Sequence, residues 1–112
     1  MRRLAFLAVL AMFTLPAVCA EQTFKDAPIL DTMCAKKLAA NPDSHTKGCA
    51  LQCQSGGFAI VTPDQKVLKL DSVGNKQVVE QLKSSSKNDH LRVDVTGDVN
   101  GDTLKVKLIK LL

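Results

Sequence analysis

The chain has 112 residues, with 15 Lys and Arg against 11 Asp and Glu and a formal net charge of +4. It contains four Phe, no Trp and no Tyr, and its basic residues are interspersed with acids rather than gathered in a patch. These features exclude the basic footprint and stacking platforms of a nucleic-acid binder, and the length admits one small domain with a thin core.

The first twenty residues, MRRLAFLAVLAMFTLPAVCA, follow the plan of a cleaved secretory signal: Arg2 and Arg3, an apolar run from Leu4 to Leu15, then Pro16 and small residues. The run is shorter than the roughly 20 residues that a membrane-spanning helix needs. Cleavage is expected after Ala20. A lipid anchor on Cys19 is the lesser reading, because Val18 stands where such a site prefers a small residue. Removing 20 of 112 residues leaves a domain spanning 21–112, with 13 basic against 11 acidic residues and a net charge of only +2. The expected location is the periplasm or the exterior, with no transmembrane segment after cleavage, and the expected state is a monomer.

Ala27–Asp31 reads as a short strand. It is followed by DTMCAKKLAANPDSHTKGCALQC, which holds Cys34, His45, Cys49 and Cys53. Pro42 bars one continuous helix, so two short helices are expected: Cys34 to Ala40, and a second that Ser44 or Thr46 caps and that runs to about Gln54. On that second helix His45, Cys49 and Cys53 fall four residues apart, on one face. Side chains at that spacing have Cβ atoms about 5–6 Å apart, whereas a disulfide needs about 3.5–4.5 Å. Cys49 and Cys53 are therefore poor partners for each other. A bridge must run from Cys34 to Cys49 or to Cys53, leaving one thiol over, and would contribute about 3 kcal/mol in the chain-entropy model. A metal ion tolerates the spacing better, and a Cys34, His45, Cys49, Cys53 set would select Zn²⁺ or Cu⁺. Small exported domains are commonly stapled. Both readings stand.

Phe58–Thr62 and Lys66–Leu70 read as a hairpin joined by a turn over Pro63–Lys66. KQVVEQLKSS forms a helix with Asn75 as its expected N-cap, and the polar loop Lys83–Asp89 follows. LRVDVTGDV and DTLKVKLIK alternate around Asn100-Gly101, a strong hairpin turn. With both residues in the loop, Val95 would face Val106, Val93 would face Leu108, and Leu104 would face Gly97. Asp94–Lys107 and Thr96–Lys105 would then pair on the other face. Five short strands with a helix before the last two predict a mostly β protein with short helices, a small partly closed barrel of the OB type; a flatter α+β sheet is the alternative.

Asp98–Asp102 opens like a calcium loop, but Thr103 and Ile109 stand where that loop needs Gly and Glu. His90 lacks a nucleophile or second histidine nearby in sequence and is expected at the surface. The D-x-x-C element at Asp31–Cys34, the stretch HTKGCALQCQSGG and the closing VTGDVNGDTLKV together resemble a group of small exported bacterial proteins without established function. The resemblance implies that Cys34, His45, Cys49 and Cys53 belong to one element and implies no activity. The expectation is a non-enzymatic exported binding or structural module. The alternative is a thiol-based redox protein using Cys49 or Cys53, although the C-x-x-C spacing is absent.

Overall fold

The structure, a computed structural model, describes residues 21–112; the expected signal segment and Cys19 lie outside the described residues. Strand β1 (Glu21–Asp31) leads into α1 (Thr32–Lys37), a 3₁₀ turn at Pro42–Ser44, α2 (Lys47–Gln52) and a second 3₁₀ turn at Gln54–Gly56. Then follow β2 (Phe58–Val61), β3 (Val67–Leu70), α3 (Ser72–Ser84), β4 (Arg92–Asn100) and β5 (Thr103–Leu111). The strands close a barrel in the order β1-β2-β3-β5-β4, with β3 and β5 parallel. This is the expected OB-type barrel, with its helix entering between β3 and β4. Among the described residues no helix is long and apolar enough to cross a membrane.

β1 is longer than its expected Ala27–Asp31 span because its two halves serve different neighbours. Glu21–Phe24 pair with β4, and Ile29–Asp31 pair with β2. A bulge between Phe24 and Ala27 makes the bend, with Asp26 at φ 52° and its N–H donating to Asp94 Oδ1 at 2.9 Å. The core is filled by alternate residues of the strands, such as Ile60, Leu68, Val93 and Leu104, and by Val78 and Leu82 from α3.

Two expectations in this half are corrected. The cap of α3 is Asp71, whose side chain accepts from the Gly74 N–H at 3.0 Å. Asn75 lies inside the helix and instead accepts from the Phe58 N–H at 2.8 Å, which fixes the start of β2. The hairpin exists, but its register differs. Asn100 pairs with Thr103, so the loop is Gly101-Asp102, with Gly101 alone of the two at positive φ, 62°. A second irregularity follows between Thr96 and Gly97, where Lys107 is left without a partner. Beyond it Val95 faces Ile109 and Val93 faces Leu111, while Leu108 turns outward at 68% exposure. Gly97 makes this possible: a Cβ there would strike the Lys105 carbonyl.

Candidate functional site

The Thr32–Gly57 segment lies against the end of the barrel where β1 meets β2. The pairing of Asp31 with Phe58 continues one step outward, the Thr32 N–H donating to the Gly57 carbonyl at 2.9 Å. At that junction Asp31 is 1% exposed. Its Oδ2 accepts from the Cys34 N–H at 3.0 Å, capping α1. Its Oδ1 lies 2.6 Å from Nε2 of His45, which is itself 4% exposed. One carboxylate therefore joins a strand end, a helix start and a histidine fourteen residues away. Asp31 joins the site although the sequence marks it only as the opening of the D-x-x-C element. Its signal was present in D-x-x-C, the spacing at which a capping Asp meets the N–H three residues on.

His45 does not ride on the second helix as its spacing suggested. It sits in extended backbone (φ −78°, ψ 141°) closing the Pro42–Ser44 turn, and Thr46 caps α2 by accepting from the Cys49 N–H at 3.2 Å. The physical reason is local: Pro42 starts a 3₁₀ turn, and a threonine cap needs extended backbone before the helix begins. Cys53 is the last residue of the turn, donating its N–H to the Cys49 carbonyl at 3.1 Å, so the argument against a Cys49–Cys53 bridge stands. Helix α2 is tied to the polar loop by the Lys47 N–H to the Asn88 carbonyl at 2.7 Å and by Lys47 Nζ to the Ser85 carbonyl at 2.8 Å.

The three cysteines among the described residues carry free thiols: Cys34 and Cys53 half-buried, Cys49 exposed. Among the described residues, Asp31, Cys34 and His45 bring ligand-capable atoms within 4.8 Å of one another; Cys49 and Cys53 stand outside that set. Burial pushes the Cys34 thiol above its ordinary range, and so do the Asp31 carboxylate, by hydrogen bond and charge, and charge on Cys53 and Cys49. Burial would raise Asp31, but hydrogen bonds from the Cys34 N–H and from His45 outweigh it and hold the carboxyl below its usual range. In a nucleophilic triad the histidine stands between thiol and carboxylate. Here the carboxylate takes both, so the thiol is discouraged from ionising. The Nδ1 of His45 is left without a hydrogen-bond partner although it is buried.

Elsewhere His90 is exposed beside Asp89, in line with its surface reading. Asp102, from the rejected calcium-like stretch, serves the hairpin turn. A cleft of about 420 Å³ lies between the β1 bulge and the β2–β3 turn, lined in part by Phe24, Pro28, Pro42 and Arg92. No protein-family model, no curated protein and no solved structure matches the chain.

Proposed function

We propose that this protein is a small exported binding or structural module, not an enzyme, in which the Cys/His segment is a lock that holds two short helices against the barrel. One observation carries the reading: Asp31 and His45, 1% and 4% exposed, are hydrogen-bonded to each other at 2.6 Å, and the second Asp31 oxygen is taken by the cap of α1. Enzymes place their reactive groups in a concave site that excludes water around a substrate. Here the polar groups face one another inside the junction of β1, α1 and the turn before α2. The raised Cys34 thiol speaks against catalysis at Cys34 itself, since thiol catalysis calls for a lowered pKa.

The lock is completed through Cys34, by a bridge to Cys53 or Cys49 or by a soft ion such as Zn²⁺ or Cu⁺. The resemblance to small exported bacterial proteins supports the same grouping. A dithiol-exchange assay tests the reading. The reduced chain should reduce insulin disulfides no faster than an equal concentration of free thiol; turnover that disappears in Cys49→Ser or Cys53→Ser would establish the redox alternative. Export is tested separately, by the intact mass of protein recovered from an expressing bacterium, which should start at Glu21. Retention of Met1–Ala20 would refute it.

A further inference from the structure

The unpartnered nitrogen of His45 calls for a Lewis acid or a donor. With Nε2 held at 2.6 Å from Asp31 Oδ1, the neutral ring would present Nδ1 as a lone pair, and His45 is only 4% exposed. A buried polar atom without a partner costs about 1–3 kcal/mol. Histidines that ligate metals characteristically spend their second nitrogen on a carboxylate in this way. We propose that His45 Nδ1 and Cys34 Sγ are ligands of one tightly held ion of the Zn²⁺ class, with Cys53 as the third protein ligand and Asp31 as the carboxylate behind the histidine.

The distances decide the role of Asp31. Two ligand atoms on a tetrahedral ion with bonds of 2.0–2.3 Å lie about 3.3–3.8 Å apart. At 2.6 Å, Oδ1 and Nε2 form a hydrogen bond and cannot both ligate the same ion. Oδ2 is occupied by the cap of α1. Asp31 is thus fully employed in holding the ring and the helix, and the histidine ligates through its other nitrogen. Cys34 belongs to the same cluster, its thiol within 4.8 Å of a ring nitrogen of His45, so bringing Sγ and Nδ1 onto one ion calls for a rearrangement of the Cys34 side chain.

Cys53 is chosen over Cys49 on the path of the chain. The Thr32–Gly57 hydrogen bond fastens the start of α1 to the end of the Gln54–Gly56 turn. Cys34 lies two residues past one side of that link, and Cys53 four residues before the other. Cys53 is half-buried and Cys49, a helical turn further on, is exposed. A nitrogen-and-thiolate set favours Zn²⁺ over hard ions.

This rests on the segment being a lock, and the two ideas fail separately, because insulin turnover would remove the lock without altering metal uptake. The experiment is anaerobic titration of the reduced full chain with Co²⁺ as a spectroscopic probe, followed by displacement with Zn²⁺. One equivalent of Co²⁺ should give the visible bands of tetrahedral geometry and sulfur-to-metal charge transfer, and Zn²⁺ should abolish both. Cys34→Ser and Cys53→Ser should each weaken binding at least tenfold and lower the charge-transfer intensity, while Cys49→Ser should leave both unchanged. Asp31→Asn, whose single carbonyl oxygen can serve the ring or the cap but not both, should weaken binding about 10–100-fold with the same Co²⁺ spectrum. A reduced, folded chain that takes up neither ion overturns the proposal. So does loss of binding in Cys49→Ser with Cys53→Ser silent, or a changed ligand-field spectrum in Asp31→Asn, which would make Asp31 a direct ligand.

Discussion

The β4–β5 hairpin with α3 and the Thr32–Gly57 segment both end in buried structure, but they are held by different forces. The hairpin is held by area. Val93, Val95, Leu104 and Ile109 are each less than 5% exposed, and the backbone ladder satisfies itself. The Thr32–Gly57 segment has two six-residue helices, each with a single buried residue, Ala35 and Ala50. Helices so short are not stable on their own, so their order comes from outside. Caps at Asp31 and Thr46, the Asp31–His45 hydrogen bond and the Arg92–Asp43 ion pair supply it. In the first region a single polar contact is dispensable. In the second, a few polar contacts are most of the structure.

The sharpest test of the area-held region compares two leucines of one strand. Leu104 is fully buried and Leu108 is 68% exposed, although strict alternation would put both on one face. Leu104→Ala should cost about 2–5 kcal/mol in denaturant unfolding. Leu108→Ala should stay within about 0.5 kcal/mol of the parent. Equal losses would restore the unbroken register and remove the irregularity beside Gly97.

For the polar-held region the corresponding test is Asp31→Ala, which removes the cap of α1 and leaves His45 buried with neither nitrogen paired. About 1 kcal/mol for the cap and about 1–3 kcal/mol for the orphaned ring sum to roughly 2–4 kcal/mol. Asp31→Asn should recover only part of it, because its one amide oxygen can accept from the ring or from the Cys34 N–H but not from both. If Asp31→Ala melts like the parent, the segment is held by something other than its polar contacts.

What was readable from the chain follows the same division. Regular alternation in LRVDVTGDV and DTLKVKLIK reports which residues form strands, because packing against one face demands a period of two. The OB-type barrel was legible for that reason. The register was not, because Gly101-Asp102 and Asn100-Gly101 are both acceptable loops, and one unpaired residue at Lys107 shifts the partners beyond it. In the Thr32–Gly57 segment, spacing groups Cys34 with His45, but it puts the histidine on a helix that in fact starts after it. The D-x-x-C spacing encodes the Asp31 cap but not its bond to His45, which depends on a partner fourteen residues away that no local period encodes. Asp71 takes the cap expected of Asn75 because both types cap helices, and only the contact of Asn75 with β2 separates them. The turn provides its own check: Gly101→Ala should cost about 1–2 kcal/mol for the left-handed backbone, and Asn100→Ala less than about 0.5 kcal/mol. Similar losses in both would return the loop to Asn100-Gly101.

The smallest effect is expected where the two regions are tied together. Arg92 at the start of β4 donates from Nε to Asp43 Oδ1 at 3.2 Å and from Nη2 to Oδ2 at 2.8 Å, while its Nη1 donates to the Asp26 carbonyl at 2.9 Å. The guanidinium thus fastens the Pro42–Ser44 turn and the β1 bulge to the barrel with a bidentate pair. Both side chains of the pair are nearly a third exposed, so solvent screens it and the coupling should reach only about 0.5–1 kcal/mol. The hydrogen bond from Arg92 holds the Asp43 carboxyl below its ordinary range. A depressed carboxyl contributes stability that is present above the unfolded pKa, near 3.9, and that fades as pH falls through the lower folded value. Asp43→Asn should therefore be slightly less stable than the parent at neutral pH, and the two stability curves should converge on acidification as the parent's carboxyl is protonated. Raising the salt concentration should narrow the neutral-pH gap as well, since exposed charges are screened within about 8–10 Å at ordinary ionic strength. Curves that run parallel from neutral pH into the acid range would mean that the Arg92–Asp43 contact contributes through shape and hydrogen bonding alone, and that no charge pair fastens the polar-held segment to the barrel.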